Sequence, residues 1–151
     1  MSIFPTKKVL VALDGSEEST LAAKTAAEIA EKTGSELHVV HVRNAPMYID
    51  PSTERVRRLA DVEEAVRREA QEFLDSQVKQ IQDAGGTVAR AHIRLGTPVA
   101  EIVNLADGIE AGLIVMGSRG MGGIRRLLLG SVSDGVVRHA HCPVQVVRKV
   151  E

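Results

Sequence analysis

Tryptophan is absent from this chain of 151 residues, and aromatic side chains amount to only 2% of it: Phe4, Tyr48 and Phe73. Proteins that hold single-stranded nucleic acid stack bases on aromatic platforms, so this scarcity argues against that class. A single cysteine, Cys142, excludes an internal disulfide and fits a reducing cytosol. No excess of one charge exists either. Nineteen basic residues against twenty acidic ones leave a net charge of −1, which offers no polyanion-binding surface. No apolar run reaches the ~20 residues needed to span a bilayer, and the N-terminus lacks a signal peptide's apolar core. These absences predict a soluble cytoplasmic domain that engages neither nucleic acid nor membrane. The length suits one domain over residues 1–151, with no repeats, low-complexity segments or linkers to divide it.

Glycine, by contrast, is concentrated. Four glycines fall at 117, 120, 122 and 123, directly after the apolar run Leu113–Met116, and a fifth, Gly130, precedes Ser131-Val132-Ser133. Helical spacing then resumes at Val132, Val136, Val137 and Ala140. A strand, a glycine loop and a helix N-terminus carrying hydroxyls form an arrangement that binds phosphate. Glycines admit close backbone approach, exposed N–H groups face the anion, and the helix dipole favours negative charge. The competing reading is a surface loop followed by a capped helix. Walker A is excluded, because no lysine lies between Lys79 and Lys149, and G-x-G-x-x-G is not met in 117–130.

The rest of the chain alternates strands and helices. Val9–Leu13 is uniformly apolar, as in a central parallel strand, and it ends at Asp14-Gly15-Ser16. Ser16 reads as an N-cap, Leu21, Thr25 and Ile29 recur every fourth residue, and Gly34 closes the helix. Leu37–Val42 is the second strand. A long helix from about Glu54 to Ala84 carries the stripe Leu59, Val62, Val66, Ala70, Phe73 and Ile81. Its Glu54–Arg58, Glu63–Arg67 and Glu64–Arg68 pairs read as a solvated face. Val88–Leu95 alternates in the manner of a strand near a sheet edge. Thr97 reads as the N-cap of the next helix with Pro98 at its first position, and Val144–Val147 is a short last strand. The order β-α-β-α-β-α-β-α-β predicts an α/β, doubly wound parallel sheet of Rossmann-like type.

Several constellations carry no chemistry. His38 and His41 point to opposite faces of a strand and cannot share a metal. His139, His141 and Cys142 lack a second cluster to complete a tetrahedron and read as a structural turn. Gly-x-Ser-x-Gly does not occur around Ser118 or Ser133, against an acyl hydrolase. Asp14 stands where ligands bind in open α/β sheets, and it equally suits an Asx-turn.

In order along the chain, Lys8-Val9-Leu10-Val11-Ala12-Leu13-Asp14-Gly15-Ser16, His41-Val42, Gly96-Thr97-Pro98, Ile114-Val115-Met116-Gly117-Ser118-Arg119-Gly120, Leu129-Gly130-Ser131-Val132 and His141-Cys142-Pro143-Val144 resemble the signatures of the universal stress protein family. The spacing Gly117-x2-Gly120-x9-Gly130-Ser131 resembles its ATP-binding branch. The resemblance implies a five-stranded sheet of order 3-2-1-4-5, ATP at the switch point between strands 1 and 4, and a homodimer through Val144–Val147. It implies that Asp14 holds the adenine or ribose side and that Val42 meets adenine through its backbone. Met116 and Gly117 would line the ribose, while Gly120, Gly130, Ser131, Val132 and Ser133 would hold the phosphates. Arg119, Arg125 and Arg126 are candidates to neutralise phosphate charge, or are simply solvated. Triphosphate charge beside so few acids and no lysine calls for a divalent cation, Mg2+ (or Mn2+), held mostly by phosphate and water. The expectation is an ATP-holding stress sensor or switch with little or no turnover and no catalytic residue. The alternatives are a slow ATPase, a flavin or other adenine-cofactor module of the same fold, and a dimerisation module whose loop is vestigial.

Overall fold

The computed structural model describes residues 7–45, 53–119 and 130–149, with side chains between 53 and 59 excepted. Five parallel strands run β1 (Lys8–Ala12), β2 (Glu36–Arg43), β3 (Arg90–Leu95), β4 (Leu113–Gly117) and β5 (Val144–Val147). They lie in the order β3-β2-β1-β4-β5, as expected. Helices α1 (Glu17–Thr33), α2 (Thr53–Asp83), α3 (Pro98–Gly108) and α4 (Ser131–His139) make the crossovers.

Alternate residues of the central strands feed two cores, which is why those strands read as continuous apolar runs. Val9, Val11, Val39 and Val115 face α1 and α2, where they meet Ala22, Ala26, Leu74 and Ile81. Leu10, Val40, Ile114 and Met116 face α3 and α4, where they meet Ile102, Leu105 and Val136. β3 and β5 are the sheet edges.

Local signals mark most element ends. The Ser16 hydroxyl accepts the Ser19 N–H at 3.1 Å and caps α1. Gly34 closes α1 with a left-handed φ of 68°. Thr97 holds N-cap backbone angles before Pro98, but its hydroxyl makes no capping bond. The Glu63–Arg67 and Glu64–Arg68 pairs form on an exposed face of α2, while Glu54 and Arg58 lie outside the described side chains.

The buried face of α1 differs from the Leu21, Thr25, Ile29 spacing. It consists of Ser19, Ala22, Ala23, Ala26 and Ala30, small side chains that let the helix lie close on β1 and β4. In α2, Leu74 is fully buried and Val62 is exposed; the helix seats its C-terminal half. Val137 of α4 is likewise exposed. β3 begins at Arg90 rather than Val88, since pairing with β2 starts only at the Ala89 N–H, which bonds the Leu37 carbonyl at 2.8 Å, although Val88 packs on the core.

Candidate functional site

All parallel strands point their carboxyl ends at one edge of the sheet. At β1 and β4 the chain leaves in opposite directions, and a crevice opens there. The structure has a cavity of about 530 Å³ at this place, lined from β1, β2, β4 and α4. Another, of about 520 Å³, lies between α1 and the end of α2 beside the Gly85-Gly86 turn, away from the carboxyl ends of the strands.

Asp14 follows β1 on the cavity rim and is exposed. Its Oδ1 accepts the Ser16 N–H at 2.9 Å, so the Asx-turn forms and fixes the carboxylate at the cavity. The turn needs Gly15 in a left-handed conformation, φ +87°, with Phe73 of α2 closing against it. The Asx-turn is thus formed, and it leaves the carboxylate on the cavity rim.

Val42 owes its place to the unequal lengths of β1 and β2. The last β1–β2 bond joins the Leu13 N–H to the Val40 carbonyl at 2.9 Å. Backbone groups two residues apart face the same neighbour, so Val42 presents its N–H and C=O to the side that β1 has vacated. That exposed peptide edge lines the cavity.

His41, beside it, is buried, with Nδ1 2.7 Å from the Leu13 carbonyl. A carbonyl only accepts, so Nδ1 carries the proton, and Nε2 is left to accept the Arg43 Nε–H at 3.0 Å. Phe73 packs edge-on against the ring, with centroids 4.3 Å apart. Burial depresses the His41 pKa, and the Arg43 guanidinium depresses it further, against opposing contributions from the Leu13 carbonyl and Asp14. The ring is thus a neutral strut between the ends of β1 and β2.

Opposite these stand β4 and α4. Met116 and Gly117 end β4 and line the cavity. Gly117 has a packing reason to be glycine: an added Cβ would stand 2.9 Å from the Glu18 backbone. Beyond it, the Ser118 carbonyl accepts the Gly130 N–H at 2.5 Å and the Ser133 hydroxyl at 2.8 Å. Those bonds bring the start of α4 to the end of β4. The first intrahelical bond of α4 runs from the Asp134 N–H to the Gly130 carbonyl at 2.9 Å. The N–H groups of Ser131, Val132 and Ser133 precede it, at the positive end of the helix dipole. Ser131 is exposed, whereas Ser133 is buried with its hydroxyl turned inward.

Asp14, Val42, Met116, Gly117, Gly130, Ser131, Val132 and Ser133 all line this one cavity. Gly120, Arg125 and Arg126 lie outside the described residues; Arg119 lines the cavity. Sequence reasoning passed over His41, Arg43 and Pro98 as lining residues. A signal existed for each, since His41 and Arg43 stand at the carboxyl end of β2 and Pro98 opens α3 just beyond that of β3. Among the described residues, no group of three or more histidine, cysteine or acidic side chains could hold a metal ion. His141 instead places Nδ1 3.0 Å from Asp107 Oδ2.

The geometry has counterparts among known proteins. The universal stress protein family model matches residues 5–148. A universal stress protein of Methanocaldococcus jannaschii is 37% identical over 143 residues, covering 95% of this chain and 82% of its own. A universal stress protein of Lactobacillus plantarum has a similar structure, with a TM-score of 0.79 at 26% identity, over 94% of this chain and 97% of that one. A universal stress protein solved in complex with cAMP has a TM-score of 0.62 at 27% identity, over 95% and 97% of the two chains. A family match over nearly the whole length, on the expected sheet order, makes this chain a member of the universal stress protein family.

Proposed function

We propose that the protein binds ATP, with a divalent cation, in the crevice between β1 and β4, and holds it as a sensor with little or no turnover. The observation that carries this reading is the seating of α4. Its unbonded first-turn N–H groups and the Ser131 hydroxyl face a cavity whose far wall is the exposed peptide edge at Val42. An anion fits the first wall, and a planar base with paired donor and acceptor fits the second. ATP has both, at its two ends. The relative in complex with cAMP supports an adenine nucleotide as the chemical class.

In this reading the Val42 backbone meets the adenine edge, and the Asp14 carboxylate meets the ribose hydroxyls. Met116 and Gly117 lie under the sugar. Gly120, Gly130, Ser131, Val132 and Ser133 surround the phosphates. Mg2+ or Mn2+ would neutralise phosphate charge. With no three-ligand cluster among the described residues, the cation would be carried by phosphate oxygens and water, with Asp14 the one acid among the described residues of the cavity wall.

Isothermal titration calorimetry with ATP and magnesium tests the reading. Saturable one-site binding, with adenosine weaker than ATP, is expected. No heat at high micromolar protein would overturn it.

A further inference from the structure

We propose that Glu18 is the positioning residue of the phosphate end of this site, acting through Ser118 without touching the nucleotide. The inference rests on the nucleotide reading above and concerns a residue outside the cavity wall.

Glu18 stands in the first turn of α1, where an acidic side chain ordinarily does no more than complement its own helix dipole. Here it reaches across to a segment one hundred residues away. One oxygen, Oε2, accepts both the Ser118 hydroxyl and the Arg119 N–H, the latter at 3.0 Å. Ser16, the cap of the same helix, adds a bond from its hydroxyl to the Arg119 carbonyl at 3.4 Å. Gly117 permits the approach, because any Cβ there would collide with the Glu18 backbone. The start of α1 and the exit of β4 are thereby locked together.

Ser118 transmits the lock. It is 1% exposed, so its hydroxyl requires an internal partner, and Glu18 is the partner it has. Its carbonyl, on the other side, takes the Gly130 N–H and the Ser133 hydroxyl. One residue thus joins Glu18 to the N-terminus of α4. Ser118 holds α1 through its hydroxyl and α4 through its carbonyl, so the two contacts share one residue. Removing the carboxylate leaves a buried hydroxyl and a backbone N–H without their charged acceptor and frees α4 to shift. Asp14 and Val42, at the adenosine end, make no direct bond to Glu18 or Ser118; Asp14 is held by Ser16, whose place as the α1 cap does not depend on the Glu18 carboxylate. The effect therefore falls chiefly on the phosphates.

The test compares ATP and adenosine binding to the full chain by calorimetry, for wild type, Glu18→Ala, Glu18→Gln and Ser118→Ala. Glu18→Ala is expected to lose ATP affinity roughly tenfold or more, while adenosine affinity changes less than about twofold. Glu18→Gln, whose amide oxygen can accept the same two donors, restores ATP binding to within roughly threefold of wild type. Ser118→Ala shows the same ATP-selective loss, and it carries the test alone should Glu18→Ala not fold by circular dichroism. Equal ATP affinity in the folded variants overturns the inference and leaves the nucleotide reading standing. An equal loss for ATP and adenosine also overturns it, since that is a general effect on the fold. A wild type that binds neither ligand overturns the nucleotide reading and this inference with it.

Discussion

The Gly130 N–H lies 2.5 Å from the Ser118 carbonyl oxygen, and a Cβ on Gly130 would stand 3.0 Å from that same oxygen and 3.3 Å from the Arg119 Cα. The backbone at Gly130, φ −70° and ψ 165°, is open to any residue, so space rather than backbone angle requires glycine here. Gly130→Val is therefore expected to push α4 off the end of β4 and to abolish ATP binding in a protein that still folds. Calorimetry on the folded variant checks this; unchanged ATP affinity would remove the phosphates from α4.

Ser131 is exposed at the first position of α4, on the cavity wall, and the proposed complex gives its hydroxyl a phosphate oxygen. Ser131→Ala should weaken ATP by about 1 kcal/mol, about fivefold, and by more if the bond is charge-assisted. Ser133→Ala acts differently, because that hydroxyl holds the Ser118 carbonyl at 2.8 Å and the Gly130 carbonyl at 3.1 Å. Its loss should lower the melting temperature as well as the affinity. Paired melting curves and titrations separate the two serines.

Stability should fall as pH drops from about 6.5 toward about 4. His92 of β3 is buried and stacked on His38, with rings 5.3 Å apart and His38 Nδ1 to His92 Nε2 at 3.1 Å. Burial, followed by the charge of His38, Arg94 and Arg90, pushes the His92 pKa down to about 4 from an ordinary 6.5. Only Glu36, 3.3 Å from His38 Nε2, offers the pair a negative group among its described partners. Below pH 6.5 the unfolded chain takes up this proton and the folded protein does not, so the unfolded state gains. The loss ends once the folded form also protonates. His41, lowered in the same direction, adds to the slope. Urea midpoints measured across this range should rise with pH, and His92→Gln should flatten the rise without abolishing it.

The legible part of the fold is the part that periodicity writes. Val9–Leu13 and Leu113–Met116 are apolar at every position because both faces of a central strand are covered, and the alternation of Arg90, His92 and Arg94 marks an edge. The buried face of α1 was not legible. Leu21 and Ile29 are the larger side chains, yet they are only half-buried, Ile29 packing at the margin of the core, and alanines fill the contact with β1 and β4. The candidate site was legible where residues adjoin in sequence, as at Gly130–Ser133. Glu18 and Ser118 are a hundred residues apart, and each alone looks ordinary; only the closure of the sheet pairs them. Gly117 likewise reads as the first loop glycine, whereas it ends a strand and clears space for α1.

A homodimer through β5 is the expected assembly. β5 pairs with β4 on one side and forms the edge of the sheet on the other. Val144-Gln145-Val146-Val147 contains no proline, lysine or other charge to discourage a further strand. Antiparallel pairing with a second copy about a two-fold axis would satisfy both edges at once. Val146→Lys should then shift the protein toward monomer in light scattering. A wild type that stays monomeric at high micromolar concentration would refute the pairing.

Hydrolysis of bound ATP should be slow or absent, far below the ~1–100 s⁻¹ of kinases. Rapid phosphoryl transfer needs a residue that orients the attacking nucleophile and fixed positive charge on the phosphates. Asp134 is the acid nearest the α4 N-terminus in sequence, but its Oδ2 accepts the Arg138 Nε–H at 2.9 Å, one turn along the helix, and it does not line the cavity. His139 and His141 stand at the far end of α4, roughly 9–15 Å from the proposed phosphates at ~1.5 Å per residue, and His141 is taken up by Asp107. His41 lines the cavity, but its two nitrogens already bond the Leu13 carbonyl and Arg43. Glu18 holds the Ser118 hydroxyl and the Arg119 N–H, and it does not line the cavity. Lys149, the one lysine beyond the loop, is 2.5 Å from Glu17 on the surface. Arg119 remains on the cavity wall to stabilise charge, so a trace rate is compatible with the site. Steady-state phosphate release decides the matter. Multiple turnovers per second that vanish in Asp134→Asn would mean that Asp134 leaves Arg138 for the nucleotide, and that the protein is an ATPase.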